Sequence, residues 1–302
     1  MRSICVQIKI LRFLGLTHIY ARRANLNDNG NLKILAKKGC FTVFEHQKDL
    51  SVAPGNAQVA FFMHEMNCRK RQVLCELTGN TVKTQAGAMQ WISGNVDSET
   101  GVKGVGGFLK GVVKGALTGE SAVKPNYTGT GYVMLEPTFR HILLENVEDW
   151  GPSGMVVNDG MFLACESTVV DTVVMRKNLS SAFAGQGLFN LSLVGSGCVA
   201  LESASPRDEL IEFELKDDVV KIDGNMAVAW SGSLDFTMER SSKSLLGSVV
   251  NGEGLVSVYR GTGKILMTPT PDGGTMETSK APDEKGTTKG IAVLSKLAKL
   301  AD

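Results

Sequence analysis

Residues 185–197 read Gly185-Gln186-Gly187-Leu188-Phe189-Asn190-Leu191-Ser192-Leu193-Val194-Gly195-Ser196-Gly197, a run of strand-forming residues held between two glycine pairs. The same grammar returns twice. Gly252-Glu253-Gly254 leads to Gly261-Thr262-Gly263, and Thr118-Gly119-Glu120-Ser121 leads to Gly129-Thr130-Gly131. The first glycines stand 66 and 67 residues apart, and the two turns within each unit lie ten, ten and nine residues apart. A second marker recurs in the same order: Ala86-Gly87-Ala88-Met89, Asp159-Gly160-Met161-Phe162 and Asp223-Gly224-Asn225-Met226. Two markers in one order, three times, define an internal repeat.

Between the markers the hydrophobic period is two. Met226, Val228, Trp230, Leu234, Phe236 and Met238 alternate with Ser231, Ser233, Asp235, Thr237 and Glu239. Ile211, Phe213 and Leu215 alternate with Glu212, Glu214 and Lys216, and Leu163, Cys165, Val169, Val173 and Met175 follow the same rule. This is the pattern of half-buried antiparallel strands. An Asp-Gly step between strands supplies the positive φ of a tight turn. The Gly-x-Gly pairs read in the same way, as hairpin punctuation. Units of about 73–137, 139–203 and 210–268 therefore form three small β-modules that must pack together to cover their apolar faces. The fold expected is all-β with a few short helices. One segment departs from it: Val105, Phe108, Leu109, Val112, Val113 and Ala116 have helical spacing, although its glycines each cost about 1 kcal/mol of helix propensity.

These residues resemble the altered-inheritance-of-mitochondria twenty-four family. The resemblance is carried by the cores at 119–131, 185–197 and 252–263 and by Asp159-Gly160-Met161-Phe162-Leu163-Ala164, and it covers about residues 28–270. It implies three TRAP-like, double-stranded β-helix or sandwich modules in a pseudo-threefold arrangement. It implies no particular chemistry. Eukaryotic members of the family are linked to mitochondrial organisation, and bacterial members imply a cytoplasmic setting. The first unit departs from the pattern, with Ser121 in place of the second turn glycine and a longer loop at 93–110.

Glycine supplies 34 of the 302 residues, above the usual share of roughly 7%. No triplet period accompanies it, which excludes collagen. A formal net charge of +1 argues against a bulk electrostatic nucleic-acid binder. No apolar run reaches the length of a membrane helix. The six cysteines (Cys5, Cys40, Cys68, Cys75, Cys165, Cys198) contain no C-x-x-C pair, so they read as isolated, mostly buried thiols in a reducing compartment. Residues 1–27 carry five Lys or Arg and no acid. They read as an N-terminal extension: a misassigned start or a targeting segment, with alternating Ile4, Val6, Ile8 and Ile10. The expected compartment is the cytoplasm, or the mitochondrion if this segment is a transit peptide. Residues 271–302 read as a loose tail ending in a short amphipathic helix at 291–301 that docks back on the domain, contacts a partner or touches a membrane surface, docking being the first choice.

No candidate site rises above its structural reading. Gly104-Val105-Gly106-Gly107 and Gly261-Thr262-Gly263-Lys264 lack the full phosphate-loop spacing. His46 with Asp49, or His64 with Glu65, could form an acid–base pair, while His18 and His141 stand apart. Ser121 and the serines of 241–248 lack a nucleophile elbow. Glu120, Gln186 and Glu253 occupy equivalent turns and read as caps of neighbouring N–H groups. Arg69-Lys70-Arg71 reads as a solvated edge rather than an RNA contact, because only 6% of the chain is aromatic and base stacking needs exposed rings. No catalytic, cofactor or metal residues are assigned, and no nucleic-acid partner is expected. The sequence thus points to a non-enzymatic β scaffold or protein-interaction module, whose partners are other proteins or further copies of itself. The alternative is a small-molecule-binding module using an inter-module groove or a β-helix cavity.

Overall fold

The computed structural model describes residues 25–26, 29–100, 124–175, 189–223, 226–240 and 255–270. The alternating apolar residues form strands. The first five are β1 (Leu32–Lys38), β2 (Phe41–His46), β3 (Arg71–Thr84), β4 (Met89–Thr100) and β5 (Pro125–Leu135). The middle of the chain supplies β6 (His141–Asn146), β7 (Met155–Val157), β8 (Phe162–Glu166), β9 (Val169–Met175), β10 (Phe189–Gly195) and β11 (Cys198–Ser203). The last four are β12 (Ile211–Asp223), β13 (Ala227–Ser231), β14 (Asp235–Arg240) and β15 (Leu255–Met267). One α-helix stands among the described residues, α1 (Ala57–Glu65), in the excursion between β2 and β3. The fold is all-β.

The strands make two antiparallel sheets. The first has the order β1-β2-β3-β8-β11-β6, with β5 pairing both β3 and β4; the second has the order β12-β15-β13-β7-β10-β9, with β14 also on β15. The middle span is divided between them: β6, β8 and β11 lie in the first sheet, and β7, β9 and β10 in the second. One core cluster takes residues from both sheets, among them Leu143, Phe162, Leu201, Met155, Leu193 and Leu266. A second lies on the first sheet around Phe41, Val73, Leu135 and Ala200. A third on the second sheet is aromatic, with the Trp230 ring 5.4 Å from Phe236 in a tilted contact and 5.3 Å from Tyr259, the latter edge to face as ring quadrupoles favour.

The Gly-x-Gly pairs are not hairpin turns. Gly129-Thr130-Gly131 lies inside β5, Gly261-Thr262-Gly263 inside β15, and Gly195-Ser196-Gly197 at the passage from β10 to β11. Opposite each, the neighbouring strand is interrupted. β3 carries Gly79 as an extra residue between Thr78↔Thr130 and Asn80↔Gly129. β12 carries Lys216 and Asp217 between Leu215↔Gly263 and Asp218↔Gly261. Between β6 and β7 the interruption has grown into the 3₁₀ turn Val147–Trp150 and the loop after it. These are bulges that bend a long strand. Glycine is required because a Cβ at Gly129 would sit 2.1 Å from the Asn95 carbonyl oxygen, and one at Gly195 would sit 2.5 Å from that of Thr168. The marker at 86–89 and 159–162 is a turn as expected, with positive φ at Gly87 and Gly160. The expected helices at 105–116 and 291–301, the alternation at Ile4–Ile10, and Glu120, Gln186 and Glu253 lie outside the described residues.

Polar groups add one tie between the sheets and one within the first sheet. Asp171 of β9 accepts hydrogen bonds from Lys83 of β3 and, at 3.3 Å, from Lys124, and the Lys124 ammonium lies 4.5 Å from the Phe162 ring centre. Glu166 accepts from the Cys40 N–H at 2.9 Å and the Cys198 N–H at 2.8 Å, pinning the β1–β2 turn to β11. Burial works to raise the Asp171 pKa, but hydrogen bonding and charge from Lys83 and Lys124 outweigh it and hold the carboxyl below the usual Asp range.

Two stability measurements test this frame. Gly195→Ala should lower the urea unfolding free energy by about 3 kcal/mol, through steric clash and positive φ. Gly151→Ala, at a φ of 94° with open space around it, should cost about 1 kcal/mol; equal costs would remove the close-approach account. Asp171→Asn should cost about 2 kcal/mol, below the full value of a fully buried pair because Asp171 is partly exposed. Since the folded pKa is depressed, this contribution is present above the ordinary Asp value and is lost as pH falls through the folded one. The gap between wild type and Asp171→Asn in unfolding free energy should therefore narrow in acid.

Candidate functional site

The excursion between β2 and β3 has an unusual composition for its position. α1 (sequence Ala-Gln-Val-Ala-Phe-Phe-Met-His-Glu) has none of its nine residues buried. Phe61 is 59% and Phe62 57% exposed, their rings 5.6 Å apart edge to face. Val59, Met66 and Leu50 are exposed beside them. Alanine, glutamine and methionine favour helix locally, and Pro54 opens the preceding 3₁₀ turn. Only Ala60, Met63 and His64 of α1 are half-buried, so the helix gains little from tertiary packing.

Between this excursion and the ends of β2, β3 and β4 lies a cavity of about 700 Å³, lined by residues that include His46, His64, Phe61, Met63, Gln72 and Phe139. Its walls are mainly apolar, with a polar line along one side. His46 Nε2 and Gln72 Oε1 are 2.7 Å apart, and the Gln72 amide donates to Gln90 Oε1 at 2.9 Å and to the Leu135 carbonyl at 3.1 Å. With both amide hydrogens committed, Gln72 Oε1 accepts from His46, so the His46 proton sits on Nε2. Asp49, the partner the sequence suggested for His46, instead accepts from Lys70 at 2.6 Å, and that hydrogen bond holds its carboxyl below the ordinary Asp value. A carboxamide neither takes nor gives a proton under these conditions, so the His46–Gln72 pair positions and does not relay.

The basic run is not a solvated edge. Arg71 is only 5% exposed. Its guanidinium is 2.9 Å from Glu45, and Arg69 reaches Gln47 at 2.6 Å and stands 3.9 Å from the same Glu45. Alternation on β3 turns Arg71 inward, and Glu45 on the adjacent strand neutralises it. Buried Nε atoms of both arginines have no hydrogen-bond partner. The Lys70 ammonium lies 5.9 Å from the Phe139 ring centre. The cavity therefore gathers His46 and Asp49, His64, and the Arg69 and Lys70 of the basic run, which the sequence offered as three unconnected groups. His141 lies on β6; burial first, then the Arg71 charge, holds it below the ordinary His value. The sequence reading did not find α1 or the cavity, because nothing in residues 47–70 repeats elsewhere in the chain.

The thiols fit their expected role. Burial raises Cys40 and Cys75 far above the free-thiol value and pushes Cys165 and Cys198 up to about 12. Cys68 alone among the described cysteines is exposed. Among the described residues no group of three His, Cys, Asp or Glu is placed to hold a metal ion, and no helix is long and apolar enough to cross a membrane.

Two bulged, curled sheets define an all-β domain, and the one α-helix among the described residues stands over a mainly apolar cavity. The chain belongs to the mitochondrial biogenesis AIM24 family, whose model matches residues 63–270. That match starts within α1, so β1, β2 and one wall of the cavity lie outside it. Among solved structures the chain is similar to protein SPYM3_0169 from Streptococcus pyogenes, with 24% identity and a TM-score of 0.50 over 67% of this chain and 88% of that one. That likeness concerns the fold alone. No curated protein matches the chain in sequence.

Thiol titration under native conditions checks the burial pattern, since the thiolate is the reacting form. Cys68→Ser should remove one equivalent of fast-reacting thiol, whereas Cys75→Ser should remove none until the protein is unfolded. A fast component that survives Cys68→Ser unchanged would contradict the placement of this residue.

Proposed function

We propose that the protein is a β scaffold and interaction module that works by binding rather than by chemistry of its own. The observation that carries this reading is α1: a helix with no buried residue, holding Phe61 and Phe62 out to solvent above a cavity. Exposed apolar clusters of this kind mark interaction sites. The scaffold is read as three equivalent units over about 73–137, 139–203 and 210–268, TRAP-like and related by a pseudo-threefold operation. Support comes from the three Gly-x-Gly corners and from the matching hydrogen bonds Glu136 N–H to Ala88, Glu202 N–H to Met161 and Thr268 N–H to Met226. Buried, unpaired thiols suit a reducing compartment, the cytoplasm or the mitochondrial interior.

A small-molecule ligand is the second reading, and the cavity is the observation that favours it. Its volume lies within the range of ordinary ligand pockets, and its apolar wall with a short polar line is the usual design. The place differs from the inter-module groove expected from sequence: it lies beside the first unit, under the excursion.

Two experiments separate the two readings. Immobilised full-length protein should retain a defined set of partners that Phe61→Ser/Phe62→Ser loses, while circular dichroism and melting temperature stay unchanged. If both proteins retain the same set, the interaction surface lies elsewhere. A small molecule seen by native mass spectrometry on wild type and absent from Gln72→Leu would instead favour the second reading.

A further inference from the structure

The cavity beside α1 carries an uneven charge. Lys48, Arg69 and Lys70 line it, and among the described residues Asp49 is the only acid that does. Asp49 is already taken, with the Lys70 ammonium 2.6 Å away. Glu45 does not line the cavity; it stands 2.9 Å from Arg71 and 3.9 Å from Arg69. Lys48 is exposed. Its main chain is held by the Asn31 side chain, which accepts from the Lys48 N–H at 2.8 Å and donates to its carbonyl at 2.7 Å.

Arg69 has donors to spare. Its Nη1 donates to Gln47 at 2.6 Å and its Nη2 to Asn67 at 3.2 Å, both neutral amides. Each of these nitrogens carries two hydrogens, so one on each is left among the described residues. Nε is buried and has no hydrogen-bond partner. A guanidinium held on neutral acceptors, with its charge largely uncompensated, favours an anion, and its planar fork matches a carboxylate. Gln72 has no amide hydrogen to offer such a group, since Gln90 and Leu135 take both.

The rest of the wall is apolar, with Leu50, Val52, Phe61, Met63 and Phe139 among its residues. The Lys70 ammonium lies 5.9 Å from the Phe139 ring centre, so charge and apolar surface meet within one site. An inorganic anion would leave the apolar wall unused, and a neutral apolar ligand would leave the excess of cations uncompensated. A molecule with one anionic head and one apolar chain uses both. The cavity volume of about 700 Å³ suits a drug-sized ligand, and a chain of about ten carbons is within that class.

We propose that the cavity takes a single-chain carboxylate of the fatty-acid type, its head on Arg69 and Lys48 and its chain along Phe61, Met63 and Phe139. The proposal rests on the small-molecule reading of the cavity and names the chemical class of the ligand. Cys68 lines the same cavity and is exposed, so an occupant shields its thiol.

Calorimetric titration of the full-length protein with sodium decanoate tests this, with 1-decanol and decyltrimethylammonium as probes of equal chain length. Wild type should bind decanoate at one site and the other two about tenfold more weakly or worse. Bound decanoate should slow the native-state reaction of Cys68 in a saturable way. Arg69→Gln should weaken decanoate binding about tenfold. Lys48→Gln removes a charge without touching the Gln47 and Asn67 contacts, and should weaken it about threefold with an unchanged melting temperature. Equal affinity for decanoate and 1-decanol overturns the proposal and leaves the small-molecule reading in place. Decanoate that binds both variants as it binds wild type, or that binds without slowing Cys68, also overturns it. So does retention on phosphatidylglycerol vesicles without decanoate binding, which would favour a membrane surface instead. If none of the three probes binds, the proposal falls, and native mass spectrometry of the wild type then judges the small-molecule reading on its own.

Discussion

A long strand that turns a corner has to bend, and in this protein the tightest corners lie where two backbones nearly touch. The corners at Gly129–Gly131 and Gly195–Gly197 are such places, whereas Gly263 is crowded by the side chain of Ser231 instead. At Gly129 and Gly195 a single added Cβ would fall within 2.5 Å of a carbonyl oxygen across the ladder. Gly154 meets the same restriction at 2.1 Å from the Leu193 oxygen. The middle span shows why this matters: β10 continues into β11 through Gly195-Ser196-Gly197, and in doing so leaves the second sheet for the first. Without the bend, β6, β8 and β11 could not share a core with β7, β9 and β10. The apolar cluster that includes Leu193 and Leu201 exists because the corner does.

Bending has a polar consequence. At each bulge, backbone groups leave the ladder, and a buried unpaired group costs free energy comparable to a lost hydrogen bond. Side chains make up part of the deficit. Asp217 N–H, at the β12 bulge, donates to Thr262 Oγ1 at 3.0 Å, and Lys264 N–H donates to Ser231 Oγ at 2.9 Å. Gly197 N–H donates to Glu148 at 2.9 Å, which holds that carboxyl below its usual range. The Thr and Ser inside the Gly-x-Gly triplets and the acids around them are therefore part of the architecture. Their recurrence beside glycine invites a phosphate-loop reading, but the Gly197 N–H is taken by Glu148 of the protein itself.

The fold class was legible in the sequence because period-two alternation and turn glycines are local signals. Their repetition three times over supplied the order. What Gly-x-Gly does was not legible. A positive φ serves a hairpin and a bulge equally, and only the register of the facing strand separates them; Gly79 and Asp217, the residues that make the bulges, carry no recurring signature. The inward turn of Arg71 was hidden for a similar reason. A run of three basic residues looks solvated until a neighbouring strand places Glu45 beside it. His46 and His64 were visible as candidates, but their common cavity depends on a helix whose sequence has no counterpart in the other units.

That last point bears on where function is sought. The repeated parts of the chain are constrained by one another: each strand must fit a neighbour in a set register, so their side chains are largely explained by packing. Residues 47–70 escape that constraint. They are inserted between two adjacent strands that a short turn could have joined, as Gly39 and its neighbours join β1 to β2. A polar loop would suffice for such a crossing and would cost less in exposed apolar surface. The excursion instead carries Phe61, Phe62 and Met66 outward, and roofs a cavity with a glutamine-anchored histidine. Departures from local consistency that the fold does not require are the places where function is expected. In this protein the helix with no fully buried residue is the element whose sequence the scaffold leaves unexplained, and its exposed rings suit the binding role proposed above.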